Sequence, residues 1–175
     1  MNSHHTSSLQ GIRVAILVAS DKGARGERAD RSGAWLAEAL CGLGAQLETH
    51  VVVPDELEEI ARVLRAFADE AAIDLVFTCG GTGFTGRDVT PEATRSVIER
   101  DVPGIPEAIR AASLQITPMA MLSRGIAGIR RATLIINLPG SLKAVQETLP
   151  TVLPVLPHAV ETLRSVTGVD CGKRR

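Results

Sequence analysis

The chain has 175 residues, 45% of them hydrophobic, which is enough to fill one core, so a single domain is expected. Its 19 Lys and Arg residues nearly balance 20 Asp and Glu, and aromatic residues make up only 2%, so neither a cationic surface for a phosphate backbone nor stacking platforms for bases is expected, and nucleic acid is excluded as a partner. No apolar run approaches the roughly 20 residues that cross a bilayer, and the polar start MNSHHTSSLQ lacks a signal peptide's apolar segment, so no membrane partner and a cytoplasmic location are expected.

Residues 1–10 read as a disordered N-terminal tail, 11–168 as the domain and 169–175 as a flexible basic C-terminal tail. His4 and His5 fall in the first tail and are not taken as a metal site. Cys41, Cys79 and Cys171 are odd in number, far apart and without a C-x-x-C pair, which predicts free thiols.

Residues 13–20 (RVAILVAS) form a continuous apolar run bounded by polar and glycine-rich sequence, as in a strand buried on both faces of a parallel sheet. Leu36, Ala39, Leu40 and Leu43 predict a helix after it, with Gly42 and Gly44 marking its end. Residues 47–53, closed by Pro54, predict a second strand of the same kind. Leu57, Ile60, Ala61, Leu64, Phe67, Ala68 and Ala71 then recur at helical spacing, while Glu58, Glu59, Arg62, Arg65 and Asp69 lie off that stripe. Asp55 is the expected N-cap of this amphipathic helix, and Glu58 completes an acidic variant of the capping box.

Residues 74–79 predict a third strand, ending at a glycine cluster. Thr90-Pro91-Glu92 reads as N-cap, N1 and N2 of a helix closed by Glu99 and Asp101. Ile105, Ala108, Ile109, Ala112 and Ile116 predict a further helix that stops before Thr117-Pro118. Residues 133–138 (TLIINL) predict a fourth strand, followed by a turn and a helix. Val155, Leu156, Ala159, Val160 and Leu163 share a final helical face, with a break or kink where Pro150, Pro154 and Pro157 crowd its beginning.

Strands alternating with helices imply right-handed βαβ units and a three-layer α/β/α fold with a mostly parallel central sheet. Ligands of such sheets bind beyond the carboxyl ends of the strands, which selects residues 20–26, Pro54-Asp55, 78–88 and 137–141. Ser20 and Asp21 therefore join the candidate binding residues.

The turn Gly80-Gly81-Thr82-Gly83 leaves a buried strand and exposes consecutive backbone N–H groups; it can cradle a phosphate or serve only as a tight connection. Gly81-x-Gly83-x-x-Gly86 formally matches a dinucleotide fingerprint, but Arg87-Asp88-Val89 intervene before the helix and no acidic residue ends a strand about twenty positions on. No P-loop pattern occurs. Asp88 is either a capping or salt-bridging carboxylate, with Arg87 as partner, or a holder of Mg²⁺ against phosphates gathered by the same loop. Asp55 has the same two readings. Pro139, Gly140 and Ser141 could receive a second anion on the N–H groups near Ser141, whose plainer reading is a helix N-cap.

Asp30-Arg31-Ser32-Gly33, Val53-Pro54-Asp55-Glu56, Gly80-Gly81-Thr82-Gly83, Arg87-Asp88-Val89-Thr90-Pro91-Glu92-Ala93-Thr94, Met121-Leu122-Ser123-Arg124 and the segment 134–141 occur in the order seen in molybdopterin adenylyltransferases. Over residues 13–165 the chain resembles the bacterial MogA type and, more closely, the G domains of gephyrin and of the plant enzyme. The resemblance implies a molybdopterin-binding fold, a homotrimer, ATP and molybdopterin as substrates with Mg²⁺, release of pyrophosphate, and a transient contact with the molybdenum-inserting enzyme. It places the family's key aspartates on Asp55 and Asp88, with Asp88 on the metal. Its glycine loop falls on Gly80, Gly81, Thr82 and Gly83, and its terminal-phosphate loop on Pro139, Gly140 and Ser141. A non-catalytic molybdopterin-binding or scaffold protein of the same fold is the alternative. Two positions depart from the pattern: Cys79 stands where threonine is common, and Thr85-Gly86 differs from the usual residues before the Arg-Asp pair.

Overall fold

The structure, a computed structural model, describes residues 8–71 and 73–165. The expectations for His4, His5, Cys171 and the basic C-terminal tail lie outside these residues. Leu9 lies within the stretch expected to be a tail, yet it is fully buried and its N–H donates to the Leu43 carbonyl at 2.8 Å, so it is part of the fold.

Six strands form one sheet in the order β2-β1-β3-β6-β5-β4. Strands β1 (Arg13–Ala19), β2 (Gln46–Val53), β3 (Leu75–Cys79) and β6 (Thr133–Leu138) are parallel. Strand β5 (Ala127–Arg130) runs antiparallel to β6, and the two-residue β4 (Arg100–Asp101) is antiparallel to β5. This antiparallel edge was not expected from the sequence. It also corrects the reading of Glu99 and Asp101 as a helix end: α4 (Thr90–Arg95) stops earlier, and Glu99 N–H donates to the Ile129 carbonyl of β5.

Alternate residues of β1 build two cores, which is why its sequence is apolar throughout. Val14, Ile16 and Val18 pack with Leu36 and Leu40 of α2 (Ser32–Gly42), Ile109 of α5 (Gly104–Leu114), Val145 and Leu149 of α6 (Leu142–Val152), and Val160 of α7 (Leu156–Ser165). Ala15, Leu17 and Ala19 pack on the other face with Ile60, Leu64 and Phe67 of α3 (Leu57–Asp69). Each fully buried Ile, Leu or Phe side chain stabilises the fold by about 1.5–3 kcal/mol, so α3 is fixed by its stripe far more than by its ends. Strand β2 differs from the expectation of a doubly buried strand: it is the sheet edge, and only Val53 in it is buried.

Two polar ties hold the outer elements. The Asp74 carboxylate accepts from the Arg13 N–H at 2.8 Å and from Arg164 Nε at 2.8 Å, joining α7 to the start of β1. Buried Asn137 in β6 donates from Nδ2 to the hydroxyls of Thr78 and Thr94, both at 2.9 Å, and accepts from the Ile126 N–H at 3.2 Å. Both of its ends are therefore satisfied, as a buried amide requires. The proline-rich stretch near the C-terminus resolves into the end of α6, which contains Pro150, a 3₁₀ turn over Leu153–Val155 and then α7, as the expected break.

Candidate functional site

The parallel strands end in step. Ala19 faces Val53, Val18 faces Cys79, and Cys79 faces Leu138, so the residues that follow them share one rim. After β1 the chain moves outward to β2, then crosses to β3 on the opposite side of β1. The two connections diverge and leave a crevice, the usual ligand position in doubly wound sheets. A cleft of about 640 Å³ occupies it.

Of the expected residues, Ser20, Asp55, Gly80, Gly81, Asp88, Gly140 and Ser141 line this cleft. Asp21, Thr82, Gly83 and Pro139 are not among its lining residues. Thr82 is buried and its carbonyl accepts from the Arg124 N–H at 3.0 Å. Gly83 gives its carbonyl to Arg124 Nε at 2.7 Å and packs against the Asp88 carboxylate. Asp21 faces Asp55 and Arg87 instead.

The glycine turn is built by close approach. Gly80 has φ +94°, and a Cβ on it would stand 2.5 Å from the Ala19 carbonyl oxygen. Gly81 has φ +63°, and a Cβ there would meet the Thr90 hydroxyl at 2.3 Å and Asp55 Oδ1 at 3.4 Å. Only residues without side chains fit between β1, β6 and α4 here. The expected run of consecutive free N–H groups is shortened, because the Gly80 N–H donates to the Leu138 carbonyl at 3.3 Å. The dinucleotide reading stays excluded, because α4 begins only at Thr90.

Asp55 is not the N-cap of α3. Glu56 holds that position without a side-chain cap, and no capping box with Glu58 forms. Instead Asp55 and Asp21 bind each other reciprocally: Asp21 N–H donates to Asp55 Oδ2 at 2.8 Å, and Asp55 N–H donates to Asp21 Oδ1 at 3.1 Å. Burial raises the Asp55 carboxyl above its ordinary range, and the charges of Asp21 and Asp88 add to that against the opposing Asp21 hydrogen bond and Arg87. Asp21 shifts the other way, chiefly through its hydrogen bonds with Arg87.

Asp88 accepts from the Thr85 N–H at 2.8 Å, which ties off its own loop. Neither expected local role is found: Val89 is the N-cap position of α4, one residue before the Thr90 expected there, and Arg87 pairs with Asp21 and Glu56 rather than with Asp88. Arg124 holds the loop's other side, donating to the Asp88 carbonyl and to Glu92. Ser141 is the N-cap of α6, its hydroxyl oxygen accepting from the Ala144 N–H at 3.2 Å. Its hydroxyl proton stays available to an anion, because a hydroxyl both donates and accepts. Cys79 lies fully buried behind the turn, and burial pushes its thiol up, so it stays neutral.

Several lining residues were not in the expected set: Arg28, Asp30, Arg31, Lys143 and Gln146. Asp30 is anchored by the Gly33 N–H at 2.9 Å and by His50 Nε2 at 2.7 Å. The cleft thus has acidic positions at Asp55 and Asp88 and exposed cations at Arg28, Arg31 and Lys143. Such a surface can receive a polyanion together with a cation. Mg²⁺ suits the residues present, since Asp55 and Asp88 both line the cleft and offer hard carboxylate oxygens. Among the described residues no three His, Cys, Asp or Glu side chains are grouped so as to hold a metal ion by themselves.

Fold and site together define a three-layer α/β domain whose cleft, at the topological switch point, is lined by carboxylates, cations and a glycine turn. The chain belongs to the family described as "Probable molybdopterin binding domain", which it matches over residues 15–158. It is 43% identical over 157 residues to a protein of Helicobacter pylori (strain J99 / ATCC 700824) named molybdopterin adenylyltransferase, covering 89% of each chain. It is 42% identical to gephyrin of Dictyostelium discoideum over 163 residues, 87% of this chain, but it spans only 22% of that longer protein. Among solved structures, the molybdopterin biosynthesis enzyme MoaB from Thermus thermophilus superposes with a TM-score of 0.82 at 51% identity, covering 87% of this chain and 96% of that one.

Proposed function

We propose that the chain is a molybdopterin adenylyltransferase, transferring AMP from ATP to the terminal phosphate of molybdopterin and releasing pyrophosphate. The observation that carries this reading is the convergence of Asp55, Asp88, the Gly80-Gly81 turn and Ser141 on one cleft. Both reactants are anions, so their repulsion is the obstacle, and positioning with charge neutralisation supplies the catalysis.

The Gly81 backbone amide receives the nucleotide's phosphates, and Arg28, Arg31 and Lys143, which line the same cleft, offset their charge. Ser141 and the N-terminus of the eleven-residue α6 fix the attacking phosphate of the pterin. Asp88 holds Mg²⁺, directly or through water, with Asp55 beside it orienting the nucleotide. When bound, Mg²⁺ spreads the charge that develops on the α-phosphate. A neutral, buried Cys79 offers no nucleophile, which agrees with direct transfer between substrates.

The same reading takes residues 11–168 as one functional domain and the protein as a cytoplasmic homotrimer that meets the molybdenum-inserting enzyme in passing. No helix of the described residues is long and apolar enough to cross a membrane. Exposed Leu114, Ile116, Met119, Met121 and Leu122 provide an apolar stretch suited to subunit contact. Light scattering is expected to give a trimer mass; a monomer mass at working concentration would refute the assembly.

Incubation with molybdopterin and Mg-ATP, followed by mass analysis of the bound pterin, tests the activity. Adenylylated molybdopterin and stoichiometric pyrophosphate are expected. Pterin binding without pyrophosphate would make the chain a binding or scaffold module instead.

A further inference from the structure

Arg87 and Asp88 are neighbours in sequence but serve different parts of the rim. Asp88 lines the cleft, and Arg87 is not among its lining residues. The Arg87 guanidinium forks onto two other loops: Nε and Nη2 donate to the two carboxylate oxygens of Asp21 at 3.0 and 2.9 Å, and Nη2 also donates to Glu56 Oε1 at 2.8 Å. Asp21 in turn holds Asp55 in both directions, through its own N–H and through its carboxylate. One side chain therefore joins the loops that follow β1, β2 and β3.

The other guanidinium on the Asp88 loop cannot do this. Arg124 bonds to Gly83, Asp88 and Glu92, all within that loop or α4, and so fixes the loop's own shape. Among the described residues, the Arg87 fork is the side-chain hydrogen-bonded link from the Asp88 loop to the Asp21-Asp55 corner. The planar guanidinium can hold two carboxylates in a set geometry, which a point-like ammonium cannot reproduce. It also neutralises Asp21 and Glu56 while leaving the carboxylates of Asp55 and Asp88 unpaired by any Lys or Arg side chain among the described residues.

We propose that Arg87 is a positioning residue: by locking the Asp88 loop to the Asp21-Asp55 corner, it sets the separation of the Asp55 and Asp88 carboxylates and thereby the fit of the nucleotide's phosphates. This rests on the AMP-transfer reading of the cleft. Small displacements of positioning groups have large kinetic effects, so Arg87→Gln is expected to raise both the Kd and the KM for Mg-ATP about tenfold or more. The KM for molybdopterin should stay near the wild-type value, because the Ser141 side of the cleft does not depend on this fork. Arg87→Lys keeps the charge without the fork and should fall between the two.

The test pairs calorimetric binding of Mg-ATP with steady-state kinetics, at a temperature where circular dichroism shows every variant folded. A merely structural ion pair would lower Tm and leave the folded enzyme's affinity for Mg-ATP unchanged. That result overturns the proposal, as does an Arg87→Gln protein with wild-type KM and kcat. If the wild-type protein binds Mg-ATP yet forms no adenylylated pterin, AMP transfer fails as the function, while the binding comparison still decides whether Arg87 positions the nucleotide.

Discussion

Asp88→Asn is expected to lower AMP transfer by about 10²–10³-fold, the scale on which loss of one preorganised electrostatic group slows a reaction, equivalent to about 2.7–4 kcal/mol of barrier. The substitution is nearly isosteric, and an amide oxygen can still accept from the Thr85 N–H that organises the loop. Only the negative charge offered to a phosphate-bound Mg²⁺ is lost. Single-turnover measurement of adenylylated molybdopterin checks this, and wild-type rates in the Asn variant would remove Asp88 from the reaction.

Asp55→Asn should show a comparable loss of activity with an opposite effect on stability. The folded protein holds the Asp55 carboxyl above its ordinary value of 3.8, because burial and neighbouring carboxylates oppose its ionisation. A group raised on folding contributes stability below its unfolded pKa, and that contribution is lost as pH rises through the folded value. At neutral pH the ionised side chain is therefore a cost to the free protein that a neutral amide avoids. The variant's Tm should equal or exceed that of the wild type at pH 7, with the difference vanishing below about pH 3.8.

The second large effect is structural. Gly80→Ala should destabilise the fold by about 2–5 kcal/mol, combining the left-handed backbone cost with overpacking. The added Cβ would stand 2.5 Å from the Ala19 carbonyl oxygen, a backbone atom in a strand hydrogen-bonded on both sides, so no side-chain movement can relieve it. For a domain of this size the Tm should fall by about 5–15 °C. Gly86→Ala in the same loop is the control, since a Cβ there meets nothing within 4 Å and the Tm should not change. A Gly80→Ala protein as stable as the control would show that the turn is less constrained than its geometry implies.

Strands β1, β3 and β6 were legible in the sequence because burial on both faces writes an uninterrupted apolar run, and their ends located most of the cleft. Helix α3 was legible because its stripe is thirteen residues long. Strand β2 was found, but its place at the sheet edge was not, since an apolar run does not state how many neighbours it will have. The β4-β5 edge escaped because two residues of Arg-Asp and four of Ala-Gly-Ile-Arg carry no periodicity. Within the site, Asp55 looked like a helix cap because capping logic is local, whereas its true partner, Asp21, lies 34 residues away. Arg28, Asp30 and Arg31 were missed as lining residues for the same reason: they precede a helix rather than follow a strand, and only tertiary folding lays them beside the rim.

The most direct measurement is a crystal structure with Mg²⁺ and an ATP analogue that cannot be cleaved between its α and β phosphorus atoms. The account predicts the α-phosphate within hydrogen-bond reach of the Gly81 N–H, with the cation beside the Asp88 carboxylate and the nucleotide against Asp55. A nucleotide seated elsewhere, such as the second cavity of about 530 Å³ beside Arg95 and Arg110, with the strand-end cleft left empty, would contradict it.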